Sequence, residues 1–88
     1  IGIFNYAFAL EQLEAAFYTQ VVANAAFNSA FSADERELLR DIWRDEVAHR
    51  EFLRAALGPA AIPNLTPNFT GINFGNRLSV LQTARTFE

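Results

Sequence analysis

SADERELLRDIWRDEVAHREFLRAALG, residues 32–58, decides the fold. Ser32 and Glu35 form a Ser-x-x-Glu capping box, in which hydroxyl and carboxylate each satisfy a backbone N–H left open at a helix start. Leu38, Leu39 and Ile42 follow at helical spacing. At the far end Gly58 suits the left-handed position just past a helix, and Pro59 forbids another turn. The spacing predicts a helix, helix B, over about 33–57. Turning about 100° per residue puts Leu38, Leu39, Ile42, Phe52, Leu53, Ala56 and Leu57 on one arc, with Arg36, Glu37, Arg40, Asp41, Arg44, Glu51 and Arg54 on the other. The charged arc alternates in sign and reads as a solvated face with i,i+3 pairs. Glu46 and His49 stand apart from it. They make a Glu-x-x-His pair inside the apolar arc, directed into the core.

Upstream, residues 3–28 contain neither Gly nor Pro and are dense in Ala, Phe, Leu, Glu and Gln, which predicts one long helix A over about 3–28. The short connection to Ser32 makes A and B an antiparallel hairpin. Asn5, Gln12, Thr19, Gln20 and Asn24 share one arc of helix A, while Phe4, Ala7, Phe8, Ala15, Val21, Val22 and Ala25 share the opposite one. Glu11, Glu14 and Tyr18 fall in the middle of the apolar arc, three and four apart, as neighbours on one stripe. Residues 1–35 contain no Lys, Arg or His, so the partner of these inward carboxylates has to come from elsewhere. Phe4, Phe8, Phe17 and Phe27 surround the helix, which calls for burial on more sides than a lone hairpin offers.

Downstream, GPAAIPNLTPNFTGINFGN (58–76) holds all three prolines and three of the four glycines, and reads as an extended connector. A third amphipathic run, helix C, occupies 77–88. Its face of Leu78, Leu81, Ala84 and Phe87 has Glu88 near the centre. The sequence stops inside this helix without a C-cap and starts at Ile1 rather than Met, so a processed form or a piece of a longer protein is expected. Asn64-Leu-Thr66 and Asn68-Phe-Thr70 are N-glycosylation sequons, which matter in an extracellular or secretory-pathway protein.

The 88 residues suffice for one domain with little stability of its own. The absence of Cys excludes disulfide scaffolds and thiolate metal sites. With a net charge of −3 and seven basic residues, all arginine, there is no basic face for nucleic acid or an anionic membrane. Apolar residues reach 51%, yet no apolar run approaches the ~20 residues of a membrane span.

Carboxylates from separate helices plus a Glu-x-x-His pair, converging inside a bundle, suit two iron or manganese ions, because hard oxygen and imidazole nitrogen match those metals. NYAFALEQLEAAFYTQ (5–20), RDEVAHREFLRAALG (44–58) and SVLQTARTFE (79–88) together resemble the ferritin-like superfamily, most closely its desiccation-related branch. The resemblance covers nearly the whole chain. It implies an all-α, ferritin-like four-helix bundle, of which this chain supplies the antiparallel hairpin, the long connector and the start of the third helix.

The resemblance also implies metal ligands at Glu11, Glu46, His49 and Glu88, with Glu46 bridging, and Tyr18 behind them. Two departures stand out: Glu14 is an extra inward acid beside the ligands, and a fourth helix with a second Glu-x-x-His is absent from these residues. A missing C-terminal segment or another chain would complete the bundle, and a homo-oligomer is expected. Two functions stay open. One is a di-iron or di-manganese carboxylate protein. The other is a metal-free structural or stress-protective secreted bundle, its core acids neutralised by protons or by Arg50.

Overall fold

The computed structural model describes residues 2–87, in the order α1 (Ile3–Ala23), the one-turn α2 (Phe27–Ala30), α3 (Ala33–Leu57) and α4 (Arg77–Phe87). No strand occurs among the described residues, and none of their helices is long and apolar enough to cross a membrane. At the start of α3, Ser32 Oγ accepts from Glu35 N at 3.2 Å and Glu35 Oε1 accepts from Ser32 N at 3.0 Å. Gly58 closes the helix at a φ of 52°, a conformation costly for a residue with a Cβ. Thr19 meets Trp43, Glu11 meets His49, and Phe8 lies under Arg54, so α1 and α3 run antiparallel.

The first helix stops at Ala23, short of the expected residue 28. Asn24 is the cause. Its backbone turns extended, and its side-chain Oδ1 accepts from Ala26 N at 2.9 Å, offering the chain a local alternative to the helix ladder. The break lets α2 swing Phe27 and Phe31 inward, with ring centroids 5.7 Å apart, to join Leu39 in the core.

The connector folds back along α1. Asn5 donates to Ala60 O and accepts from Ile62 N, both at 2.8 Å, and Gln12 Oε1 accepts from Leu65 N at 2.7 Å. Gln12 is thus only 5% exposed, although the helical wheel assigns it to the arc opposite the core. The polar arc is covered because prolines and turns leave the connector with unpaired backbone groups, which the carboxamides of α1 satisfy. Farther along, Phe69 and Phe74 pack against Phe17, with centroids 6.1 and 5.6 Å away.

Helix α4 starts beside the beginning of α3, where Arg77 Nη2 meets Glu35 Oε2 at 2.5 Å. Val80 is its fully buried residue, with Leu81, Ala84 and Phe87 beside the core, whereas Leu78 faces solvent despite its place on the predicted apolar face. Tyr18 of α1 thus faces side chains of both α3 and α4. The three helices leave an apolar groove of about 650 Å³ lined by Tyr18, Leu38, Leu39, Ile42, Leu81 and Ala84, with Arg85 also on its wall. Phe4 and Phe52, both on predicted apolar arcs, are 66% and 71% exposed. Helical periodicity makes a face apolar; whether something covers it depends on other segments.

Candidate metal centre

Antiparallel pairing of α1 with α3 brings Glu11 opposite the turn that carries Glu46 and His49. His49 Nδ1 lies 3.8 Å from Glu11 Oε2 and 3.8 Å from Glu46 Oε1. One ligand atom from each of the three falls within 4.8 Å of the others. The carboxylates are mostly covered, with side chains 21% and 17% exposed, while that of His49 is 61% exposed. Glu11 Oε2 and Glu46 Oε2 are fully buried and have no hydrogen-bond donor among the described residues.

Such a pair is electrostatically uncomfortable. Burial pushes the Glu11 carboxyl up from the ordinary 4.5 to about 7, assisted by hydrogen bonding to Glu46 and by the negative charge of Glu46. A proton on Glu11 supplies the donor that two ionised carboxylates lack; a bound cation would answer the same need. Arg50, the expected alternative neutraliser, is 27% exposed and places its Nε 3.1 Å from Glu51 Oε2.

Tyr18 lies two turns along α1 from Glu11, 2% exposed, its ring edge-on to Phe17 at 4.9 Å. Glu14 is half-buried on the same stripe but is not one of the three converging groups. Glu88 lies outside the described residues. Both sequons sit in the exposed connector, where Asn64 Oδ1 accepts from Arg54 Nη2 at 2.9 Å and Asn68 Oδ1 accepts from Thr70 N at 2.9 Å. Sequence reasoning overlooked the clamp formed by Asn5 and Gln12, which holds the connector over the helix bearing Glu11. Their seven-residue spacing, one polar stripe on an otherwise apolar helix, was the available signal.

The family model described as ferritin-like domain matches residues 1–88. No curated protein and no solved structure matches the chain. A match along the full length, on an all-helical chain whose first two long helices bring carboxylates and a histidine together, leaves one conclusion: the chain belongs to the ferritin-like domain family.

Proposed function

We propose that Glu11, Glu46 and His49 are ligands of an iron or manganese centre within a ferritin-like bundle. The supporting observation is the pair of buried, donorless carboxylate oxygens that share their surroundings with His49 Nδ1. Desolvated carboxylates without donors are costly, and a divalent cation would offset both the charge and the missing partner. An imidazole among carboxylates favours iron or manganese over calcium or magnesium. When bound, such an ion supplies one-electron chemistry toward oxygen or peroxide.

The rest falls to the chain's own residues. Glu11 would hold the ion from α1, and Glu46 and His49 from α3. Glu11 can release its proton as the ion arrives and regain it as the ion leaves. Tyr18 and the neighbouring apolar side chains limit water on the covered side. A further helix, from a longer chain or from another copy, would fill the groove beside Tyr18 and add ligands for a second ion. Glu88 at the end of the third helix, Glu14 beside Glu11 and Tyr18 in support complete this reading. It carries with it the stress-related role and the secretory location that the desiccation-related resemblance and the sequons suggest.

A second reading, a metal-free structural bundle, is favoured by the burial of Glu11 beside Glu46, which raises the Glu11 carboxyl to about 7 and lets its proton supply the missing donor. Anaerobic titration with Mn²⁺ or Fe²⁺ separates the two. At a free ion concentration 100 times Kd the metal reading expects about 2.7 kcal/mol of stabilisation, abolished in Glu46→Gln. An unchanged melting temperature at millimolar Mn²⁺ and Fe²⁺ would refute it.

A further inference from the structure

We infer that Thr19 and Trp43 are positioning residues for the Glu11–Glu46–His49 group, their hydrogen bond fixing the register of α1 against α3. The inference rests on the metal reading above and deepens it. Side chains on two helices converge on one ion only while the helices keep one axial alignment. Successive residues advance by about 1.5 Å along a helix, whereas a metal–ligand distance tolerates about 0.2 Å. A slip smaller than one residue therefore takes Glu11 away from an ion held by Glu46 and His49.

Apolar contact between α1 and α3 does not set that alignment. Burial of side chains such as Phe8 and Ala15 is favourable but non-directional. The guanidinium of Arg54, 5.5 Å from the centroid of the Phe8 ring, keeps its attraction over a range of offsets. The contact between Thr19 and Trp43 is different in kind. Trp43 Nε1 donates to Thr19 Oγ1 at 3.0 Å, and Thr19 Oγ1 in turn donates to Ala15 O, one turn back, at 2.7 Å. The second bond commits the hydroxyl hydrogen to the backbone and leaves a lone pair for the indole, so the acceptor is fixed in direction as well as in place. Packing of Trp43 against the core holds the donor.

The bond stands about 4.5 Å before Glu46 along α3 and about 12 Å beyond Glu11 along α1. The Arg54–Phe8 contact lies on the other side of the group. Glu11, Glu46 and His49 thus sit between two cross-helix contacts, and the directional one decides where they stand. Solvent reaches Thr19, so the bond adds little to overall stability.

Mn²⁺ binding to the 88-residue chain, followed by the electron paramagnetic resonance of the free ion, tests this. Thr19→Val and Trp43→Phe keep most of the side-chain bulk and remove the bond. Each should weaken binding about three- to tenfold, the factor that one ordinary hydrogen bond carries, with helicity retained by circular dichroism. Thr19→Ser keeps the hydroxyl and should bind as the wild type does. The double variant Thr19→Val/Trp43→Phe should bind no more weakly than either single one, because both remove the same bond. Wild-type affinity in Thr19→Val and Trp43→Phe, weakening of equal size in Thr19→Ser, or additive losses in the double variant would each overturn the positioning role while leaving the metal centre in place. A wild-type chain that binds no Mn²⁺ at millimolar concentration would overturn the metal reading itself, and this inference with it.

Discussion

Replacing Glu11 by Gln keeps the shape of the side chain and removes its charge. In the metal-free protein the Glu11 carboxyl is raised from 4.5 to about 7 by burial and by Glu46, so above pH 7 the fold carries an ionised group it disfavours. At about 1.36 kcal/mol per pH unit the rise corresponds to roughly 3 kcal/mol. Solvent reaches the fifth of the side chain that remains exposed, and screening reduces the effect to about 1–2 kcal/mol. The folded state binds the proton more tightly than the unfolded state, so the stability contributed by protonation is complete below pH 4.5 and is lost as pH rises through about 7. Glu11→Gln should therefore stabilise the chelator-treated protein by about 1–2 kcal/mol at pH 8, which is about 4–16 °C in Tm for a chain of this size. At pH 4.5 it should change little. Urea unfolding of wild type and variant, at both pH values and with chelator present, measures the difference. A variant less stable than wild type at pH 8, or a difference of equal size at both pH values, would refute the electrostatic argument.

Phe17→Ala removes a ring that touches Tyr18, Phe69, Phe74 and Phe87, and with it the junction of α1, the connector and α4. A loss of about 3–5 kcal/mol, enough to unfold so small a domain, should appear as collapsed helical circular dichroism. Gln12→Ala leaves Leu65 N without its acceptor and should cost about 1–3 kcal/mol in denaturant unfolding, with hydrogen exchange in the connector rising more than in α3. The Glu35 carboxyl is held down to about 2, chiefly by Arg77, so its stabilising effect is present above pH 4.5 and lost as pH falls through about 2. In Glu35→Gln that acid-side loss should vanish from the unfolding profile. With metal bound, protons compete with the ion for Glu11, so stability should fall from pH 7 to pH 5, opposite in slope to the chelated protein. Identical profiles with and without chelator would favour the structural reading.

Much of this architecture was legible where the signal is local. The bounds of α3 follow from Ser32, Glu35, Gly58 and Pro59, each acting on its own backbone. The covered positions of Glu11 and Glu46 were legible because a charged residue on an apolar arc is conspicuous at a period of 3.6, whereas His49, expected to point into the core from the same arc, leaves 61% of its side chain exposed. The end of α1 was hidden, since Asn24 breaks the helix through a carboxamide hydrogen bond rather than through Gly or Pro. Burial of Gln12 was hidden for a different reason. It depends on residue 65 folding back across the helix, a long-range event that periodicity does not encode. Leu78 and Val80 traded places because the approach angle of α4, anchored at Arg77, decides which side of that helix meets the core.

The chain contains a single histidine, which makes one measurement unusually direct. Protein labelled with ¹⁵N in histidine and loaded with Mn²⁺ should show, by electron spin-echo envelope modulation, one directly coordinated imidazole nitrogen. That nitrogen can belong only to His49, and the coupling should disappear in His49→Ala. Stoichiometric Mn²⁺ without imidazole coupling would contradict the account, because the ion would then sit away from the Glu11–Glu46–His49 group.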